Sequence, residues 1–275
     1  YFAFFVFFSV KGQINTYSPY SYFGIGNLYN MGTTANIAMG GLGVSITNTN
    51  LLNHINPASY SFLERTSFEF GATSSFIKMS QNDLSQRNFT SNLFNMGLGF
   101  PISNKIGMSV SLLPYSSVGY NVTTQRLTDE NIGLTNYTYS GSGGLNMLLL
   151  GASWKIIENL SMGTNINYFF GAIEKITTVE TVNQPTNFRE SISTIIRDFN
   201  FELGLLYVQK IDNYNINFGA TISPEREIES KIDTFQHTYI SSGDYESFMD
   251  TILSVTGSQD YITIPLTYST GLSIE

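Results

Sequence analysis

Leu160-Ser161-Met162-Gly163-Thr164-Asn165-Ile166-Asn167-Tyr168-Phe169-Phe170 is the stretch that decides the fold. Leu160, Met162, Ile166, Tyr168 and Phe170 alternate with Ser161, Gly163, Asn165 and Asn167. Successive side chains of a strand point to opposite faces. A period of two therefore describes a strand with one apolar face and one small, polar face.

The same period recurs on both sides of this stretch. Upstream, Phe68, Phe70 and Ala72 alternate with Ser67, Glu69 and Gly71, and Ile106, Met108, Val110 and Leu112 with Gly107, Ser109 and Ser111. Downstream, Phe199, Phe201, Leu203, Leu205 and Tyr207 alternate with Asn200, Glu202 and Gly204. Tyr214, Ile216 and Phe218, and then Ile262, Ile264 and Leu266, repeat the pattern. Eight strands are expected, at 66–79, 91–100, 104–124, 135–156, 160–180, 189–210, 214–230 and 260–274. Short turns at 101–105, 157–159 and 211–213 alternate with longer polar stretches at 80–90, 125–134, 182–188 and 231–260. Short connections at one end and long ones at the other are the pattern of an outer-membrane barrel. The expected fold is all-β, an antiparallel transmembrane β-barrel, with Ile106, Ile166, Phe218 and Ile264 facing outward. A soluble β-sandwich also alternates. The small, uncharged polar face and the regular loop asymmetry weigh against it.

Composition agrees. Only 12% of the 275 residues are charged, aromatics reach 14%, and the formal net charge is −8. A soluble domain carries about 25% charged residues. The acidic balance and the lack of a basic stripe argue against nucleic acid. The chain contains 0 cysteines, which excludes a disulfide framework and a cysteine-based zinc site. Residues 2–8, Phe-Ala-Phe-Phe-Val-Phe-Phe, are shorter than the roughly 20 apolar residues of a spanning helix. They read as the apolar part of a secretory signal, with cleavage near Gly12-Gln13. Residues 1–13 are thus a partial signal peptide, 14–65 an N-terminal leader, and 66–275 the strand region.

No catalytic constellation is visible. The 2 histidines are His54, before the strands, and His237, in an expected outer loop. A hydrolase needs a histidine beside a nucleophile and an orienting group, so no enzyme and no cofactor are expected. No metal-ligand spacing occurs. Asp129-Glu130 and Asp244-Tyr245-Glu246 are loop carboxylates that read as solvated charge, with calcium binding as the alternative. Glu69 and Glu202 fall on the small, polar face, as inward carboxylates that bind a cation or are merely hydrated. Arg65 and Arg126 are the candidate partners.

Met39-Gly40-Gly41, followed by Ile55-Asn56-Pro57-Ala58-Ser59-Tyr60 and then Phe68-Glu69-Phe70-Gly71, resembles the long-chain fatty-acid transporter (FadL-like) family of outer-membrane barrels. The resemblance implies a 14-strand barrel of which about 8 strands are present, a C-terminal part missing, and an N-terminal hatch within residues 14–65. Met39, Gly40, Gly41, Asn56, Pro57 and Ala58 would be its hatch or gating residues. Asn56-Pro57-Ala58 is expected near the base of strands one to three, where Gly97, Gly99, Gly107 and Gly163 leave space for the segment to approach closely. The family has a break in its third strand that opens sideways to the membrane. Pro114 and Gly119 are the positions here that would make such a lateral opening, or a simple bulge. The implied function is passive transport of hydrophobic small molecules such as fatty acids across the outer membrane of a Gram-negative bacterium. The partners would be membrane lipid and a hydrophobic ligand. The alternative is a structural barrel subunit of a protein-secretion or surface-assembly system, because that architecture also serves in secretion machinery.

Overall fold

The computed structural model describes residues 16–81, 84–129, 133–182, 184–242 and 245–274. The expected signal, residues 1–13, lies outside them. So do Glu130 and Asp244.

The strand region forms one antiparallel sheet. Its strands are β2 Ser67–Gln81, β3 Leu84–Ser103, β4 Ile106–Asp129, β5 Gly133–Ile157, β6 Leu160–Thr181, β7 Thr186–Ile211, β8 Tyr214–Ser223, β9 Arg226–Ser242, β10 Tyr245–Ile264 and β11 Thr267–Ile274. A two-residue strand, β1 Asn27–Leu28, precedes them. From β2 to β7 neighbours in sequence pair. β8 and β9 are two halves of one line, as are β10 and β11. β9 and β10 pair above, β8 and β11 below. Eight lines result, in sequential order, curled into a half-barrel. Among the described residues, β2 and the β10–β11 line have no further neighbour.

The tight turns gather at one end, here called the base. They are Asn104-Lys105, Glu158-Asn159 and Asp212-Asn213. Asp212 sits at φ 53, a conformation that aspartate tolerates better than most side chains. At the opposite end the expected loops are mostly strand. Residues 231–260, read from sequence as a loop, form much of β9 and β10. β5 and β7 run for 25 and 26 residues, against roughly 9–11 that cross a bilayer. The surplus rises at the far end.

Both broken lines break at a proline, Pro224 and Pro265. Proline has no N–H to donate, so a ladder is interrupted there. The breaks lie side by side, with Ser223 opposite Thr267 below them and Arg226 opposite Ile264 above. Each shifts the alternation by one residue. Ile264 was expected to face outward. It packs instead on the concave cluster around Leu145, Met147 and Phe169. Ile106, Ile166 and Phe218 are 40%, 38% and 44% exposed on the convex face, as expected.

The concave face is not uniformly polar. Near the base it is small and polar, with Ser109, Ser111, Asn165 and Asn217 all buried. Higher up it carries a core of Leu113, Leu145, Met147, Leu149, Phe169, Ile196 and Ile228, with Ile25 and Met31 of the N-terminal segment packed on it. Burying a large aliphatic side chain contributes about 1.5–3 kcal/mol, so this cluster anchors the segment to the wall.

Candidate functional site

The candidate site is where the N-terminal segment meets the wall. Every line of the sheet offers it a glycine. These are Gly71 on β2, Gly97 and Gly99 on β3, Gly107 on β4, Gly151 on β5, Gly163 on β6, Gly204 on β7, Gly219 on β8 and Gly271 on β11. A Cβ at Gly107 would fall on the carbonyl of Tyr60, and one at Gly163 on the carbonyl of Pro57. The backbone therefore lies directly on the strands, an approach only glycine permits.

Asn56 organises the contact and is 0% exposed. It begins a 3-10 turn, Pro57–Phe62, by accepting a hydrogen bond from the Ala58 N–H at 3.0 Å. Its amide nitrogen donates to the Val44 carbonyl at 2.6 Å and to the Leu205 carbonyl of β7 at 3.0 Å. One side chain thus ties two parts of the segment to the wall. Pro57 suits the first position of the turn, where its missing N–H costs nothing. The Asn56-Pro57-Ala58 trio lies on Gly163 of β6 and Gly204 of β7. This corrects the expected position at strands one to three. That base is occupied by Leu52, His54, Tyr60 and Leu63 instead, against Gly97, Gly99 and Gly107.

Further bonds stitch the segment down. Ser61 and Ser161 hydroxyls lie 2.6 Å apart, and Ser161 donates to the Ala58 carbonyl at 2.8 Å. The Tyr60 hydroxyl donates to Asn165 at 3.0 Å, and Asn165 donates to Glu202 at 3.0 Å. Ser273 of β11 donates to the Ser45 carbonyl at 3.0 Å. Burial pushes the Tyr60 phenol well above its ordinary range.

Glu69 also holds the segment, through backbone rather than a cation. It accepts from the Thr34 N–H at 2.7 Å and from Asn95 at 3.0 Å. Thr34 opens α1, Thr34–Ala38, whose Thr33–Asn36 capping box fixes its start. A carboxylate is favourable at such an end. Neither Arg65 nor Arg126 pairs with Glu69 or Glu202. Arg126 lies 6.0 Å from the Tyr137 ring instead. A side chain at Gly40 or Gly41 would meet nothing within 4 Å, so neither glycine is required for a close approach to the wall. Gly40 and Gly41 have φ +75 and +86 with open space around them, and they terminate α1. Met39 is 44% exposed.

His54 is 1% exposed, and neither ring nitrogen has a hydrogen-bond partner. Burial lowers its pKa to about 4. His237 lies in β9, not in a loop, with its ring 5.0 Å from Phe235 and 5.7 Å from Phe248.

The second feature is a seam. β3 and β4 pair only from Met96–Leu112 down to Ser103–Ile106. Above Leu112 β4 continues beside β5 while β3 stays with β2, so the wall parts. Pro114 stands two positions above the last pair. A bulge follows between Pro114 and Ser116. The free edge of β4 is taken by the N-terminal segment. Asn27 and Leu28 lie opposite Ser117 and Ser116, the Tyr29 N–H donates to the Tyr115 carbonyl at 3.0 Å, and the Ser18 N–H to the Gly119 carbonyl at 2.9 Å. The buried Ser21 hydroxyl accepts from the Gly119 N–H at 3.1 Å. Two cavities flank this staple. One of about 340 Å³ touches Asn27, Leu28, Tyr29, Thr90, Asn92 and Phe94. The other, of about 230 Å³, is lined by Tyr29, Leu93, Leu112, Leu113 and Pro114. The staple itself had no signal in the sequence beyond the Ser18-Pro19-Tyr20-Ser21 turn residues.

The profile of a family described as BamG matches residues 1–275. No curated protein matches the chain. Among solved structures, a Pseudomonas aeruginosa FadL homologue is similar at 10% identity and a TM-score of 0.43, over 90% of this chain and 77% of that one.

Proposed function

We propose, from the premise that the chain belongs to the BamG family, that it is an outer-membrane barrel with a structural role in outer-membrane barrel assembly. The family's association with barrel assembly supports this reading. So does the way the concave face is filled. The N-terminal segment acts as a fixed hatch: its backbone rests on Gly107, Gly163 and Gly219, its side chains fill the glycine positions of the other lines, and Asn56 bonds to the wall from a fully buried position. Such a plug suits a scaffold better than a pore. The test is to depress the chain's level in cells and quantify the other outer-membrane barrels. Assembly work predicts their general loss.

A second reading rests on the seam. Where β3 leaves β4, Leu93, Leu112 and Leu113 line a cavity next to the apolar concave core. Hydrophobic small molecules would leave sideways into the membrane there if residues 27–29 moved. Uptake of a long-chain fatty acid by cells carrying the chain, with and without the seam closed covalently, tests that reading.

A further inference from the structure

The convex wall carries two basic residues beside a cluster of aromatic rings. Tyr168, Phe170 and Phe199 point outward from β6 and β7 as a cluster, with ring centroids 4.8 Å apart for Tyr168–Phe199 and 5.9 Å for Tyr168–Phe170. Trp154, Tyr207 and Tyr214 are exposed near the base. Aromatic girdles at both ends of an apolar band mark the two membrane interfaces of a barrel. Arg197 stands directly opposite Phe170 in the ladder, at the upper girdle. Lys231 stands opposite Ile195 on the next line.

Between them is a cavity of about 300 Å³ lined by Ile195, Arg197, Glu229 and Lys231. It opens where β7 loses its neighbour, since pairing with β9 ends at Ile196 and pairing with β8 begins at Leu203. Neither the Arg197 nor the Lys231 side chain has an ion-pair or hydrogen-bond partner among the described residues. The nearby carboxylates are engaged elsewhere. Asp198 takes Arg226 at 3.1 Å and the Glu229 N–H at 3.0 Å. Glu229 takes the Gln259 amide at 3.1 Å, and Asp233 takes the Gly257 N–H at 2.6 Å. The cleft thus holds two cations, neither of them in an ion pair, against the single carboxylate of Glu229, which leaves it net positive in a chain of net charge −8.

We propose that this cleft binds the phosphate of an outer-leaflet lipid, with Arg197 and Lys231 as its two donors and the acyl chains lying along Phe199, Phe201 and Leu203. The site rests on the membrane-spanning reading above. An arginine at the girdle presents a planar fork that matches phosphate oxygens, and a lysine adds a second charge.

The test is native mass spectrometry of the chain extracted from outer membranes in mild detergent. A phosphorylated lipid should remain bound. R197Q/K231Q should lower its retention by at least roughly tenfold, as expected for losing two charge-assisted contacts. R197K/K231R should keep it, which separates lost binding from misfolding. Millimolar inorganic phosphate should not displace it. Equal retention by R197Q/K231Q overturns the site, and displacement by inorganic phosphate overturns the lipid assignment. Carbonate extraction of the membranes distinguishes the two failures: a chain that washes off sinks the membrane reading, whereas an embedded chain without lipid sinks the site alone.

Discussion

Gly163 and Gly204 face each other across the β6–β7 ladder, and the Asn56-Pro57-Ala58 backbone lies on the bare patch they make. A methyl group at either position would enter the plug, and the Pro57 backbone at Gly163 cannot swing aside. G163V and G204V should each destabilise the folded chain by about 1–3 kcal/mol, the range for overpacking. The check is the urea midpoint of the refolded protein, together with protease cutting within residues 40–60.

Asn56 makes a different prediction. N56A leaves the carbonyls of Val44 and Leu205 and the N–H of Ala58 without their partner. Each buried orphan costs about 1–3 kcal/mol. The turn at Pro57–Phe62 should loosen, and small-solute leakage through membranes carrying N56A should rise. N56D keeps the acceptor for Ala58 but not the two donations, so it should fall between. Leakage equal to that of the unaltered chain would remove the hatch role from Asn56.

His54 gives the pH dependence. Its pKa is lowered by burial to about 4, below the unfolded value near 6.5. Protonation therefore favours the unfolded chain. The neutral imidazole's contribution is fully present above pH 6.5 and is lost as pH falls toward 4, a difference on the order of 3 kcal/mol. Among the described residues neither ring nitrogen has a hydrogen-bond partner; Gly97 lies beside the ring and the His54 carbonyl accepts from Asn165. H54Q should flatten the stability profile between pH 6.5 and 4, measured by denaturant midpoints. An unchanged slope would show that His54 does not titrate there.

The seam is tested by a covalent staple. The chain has no cysteine, so N27C/S117C introduces one defined pair at directly opposite positions. Under the assembly reading the oxidised variant should support growth and barrel levels as the unaltered chain does. Under the passage reading fatty-acid uptake should fall several-fold on oxidation and return on reduction.

Much of the fold was legible because membrane-wall strands declare themselves by a period of two. The alternation through Leu160–Phe170 and Phe199–Tyr207 set the strand count and the faces of Ile106, Ile166 and Phe218 correctly. Residues 231–260 were misread because above the membrane neither face of a strand must be apolar, so β9 and β10 lose the alternation while keeping the ladder. Ile264 was misplaced because the break at Pro265 shifts the count, which periodicity on one side of a proline does not reveal. For the plug, Asn-Pro-Ala was recognisable as a hatch motif only through the resemblance, and its partner Leu205 is 149 residues away. Nothing local encodes that pairing. Glu69 was correctly placed inward, yet its partner is a backbone N–H, which has no residue-type signature. Met39-Gly40-Gly41 was singled out only through the resemblance, as part of the hatch; in the structure its glycines follow the end of α1.

The most direct test of the assembly role is quantitative proteomics of the outer membrane after depletion of the chain, with N27C/S117C supplied in trans as the rescuing copy under oxidising conditions. Many unrelated outer-membrane barrels should fall together on depletion and recover with the covalently closed chain. An unchanged set of barrels, with uptake of a hydrophobic solute lost and not rescued by the closed chain, would contradict the assembly role.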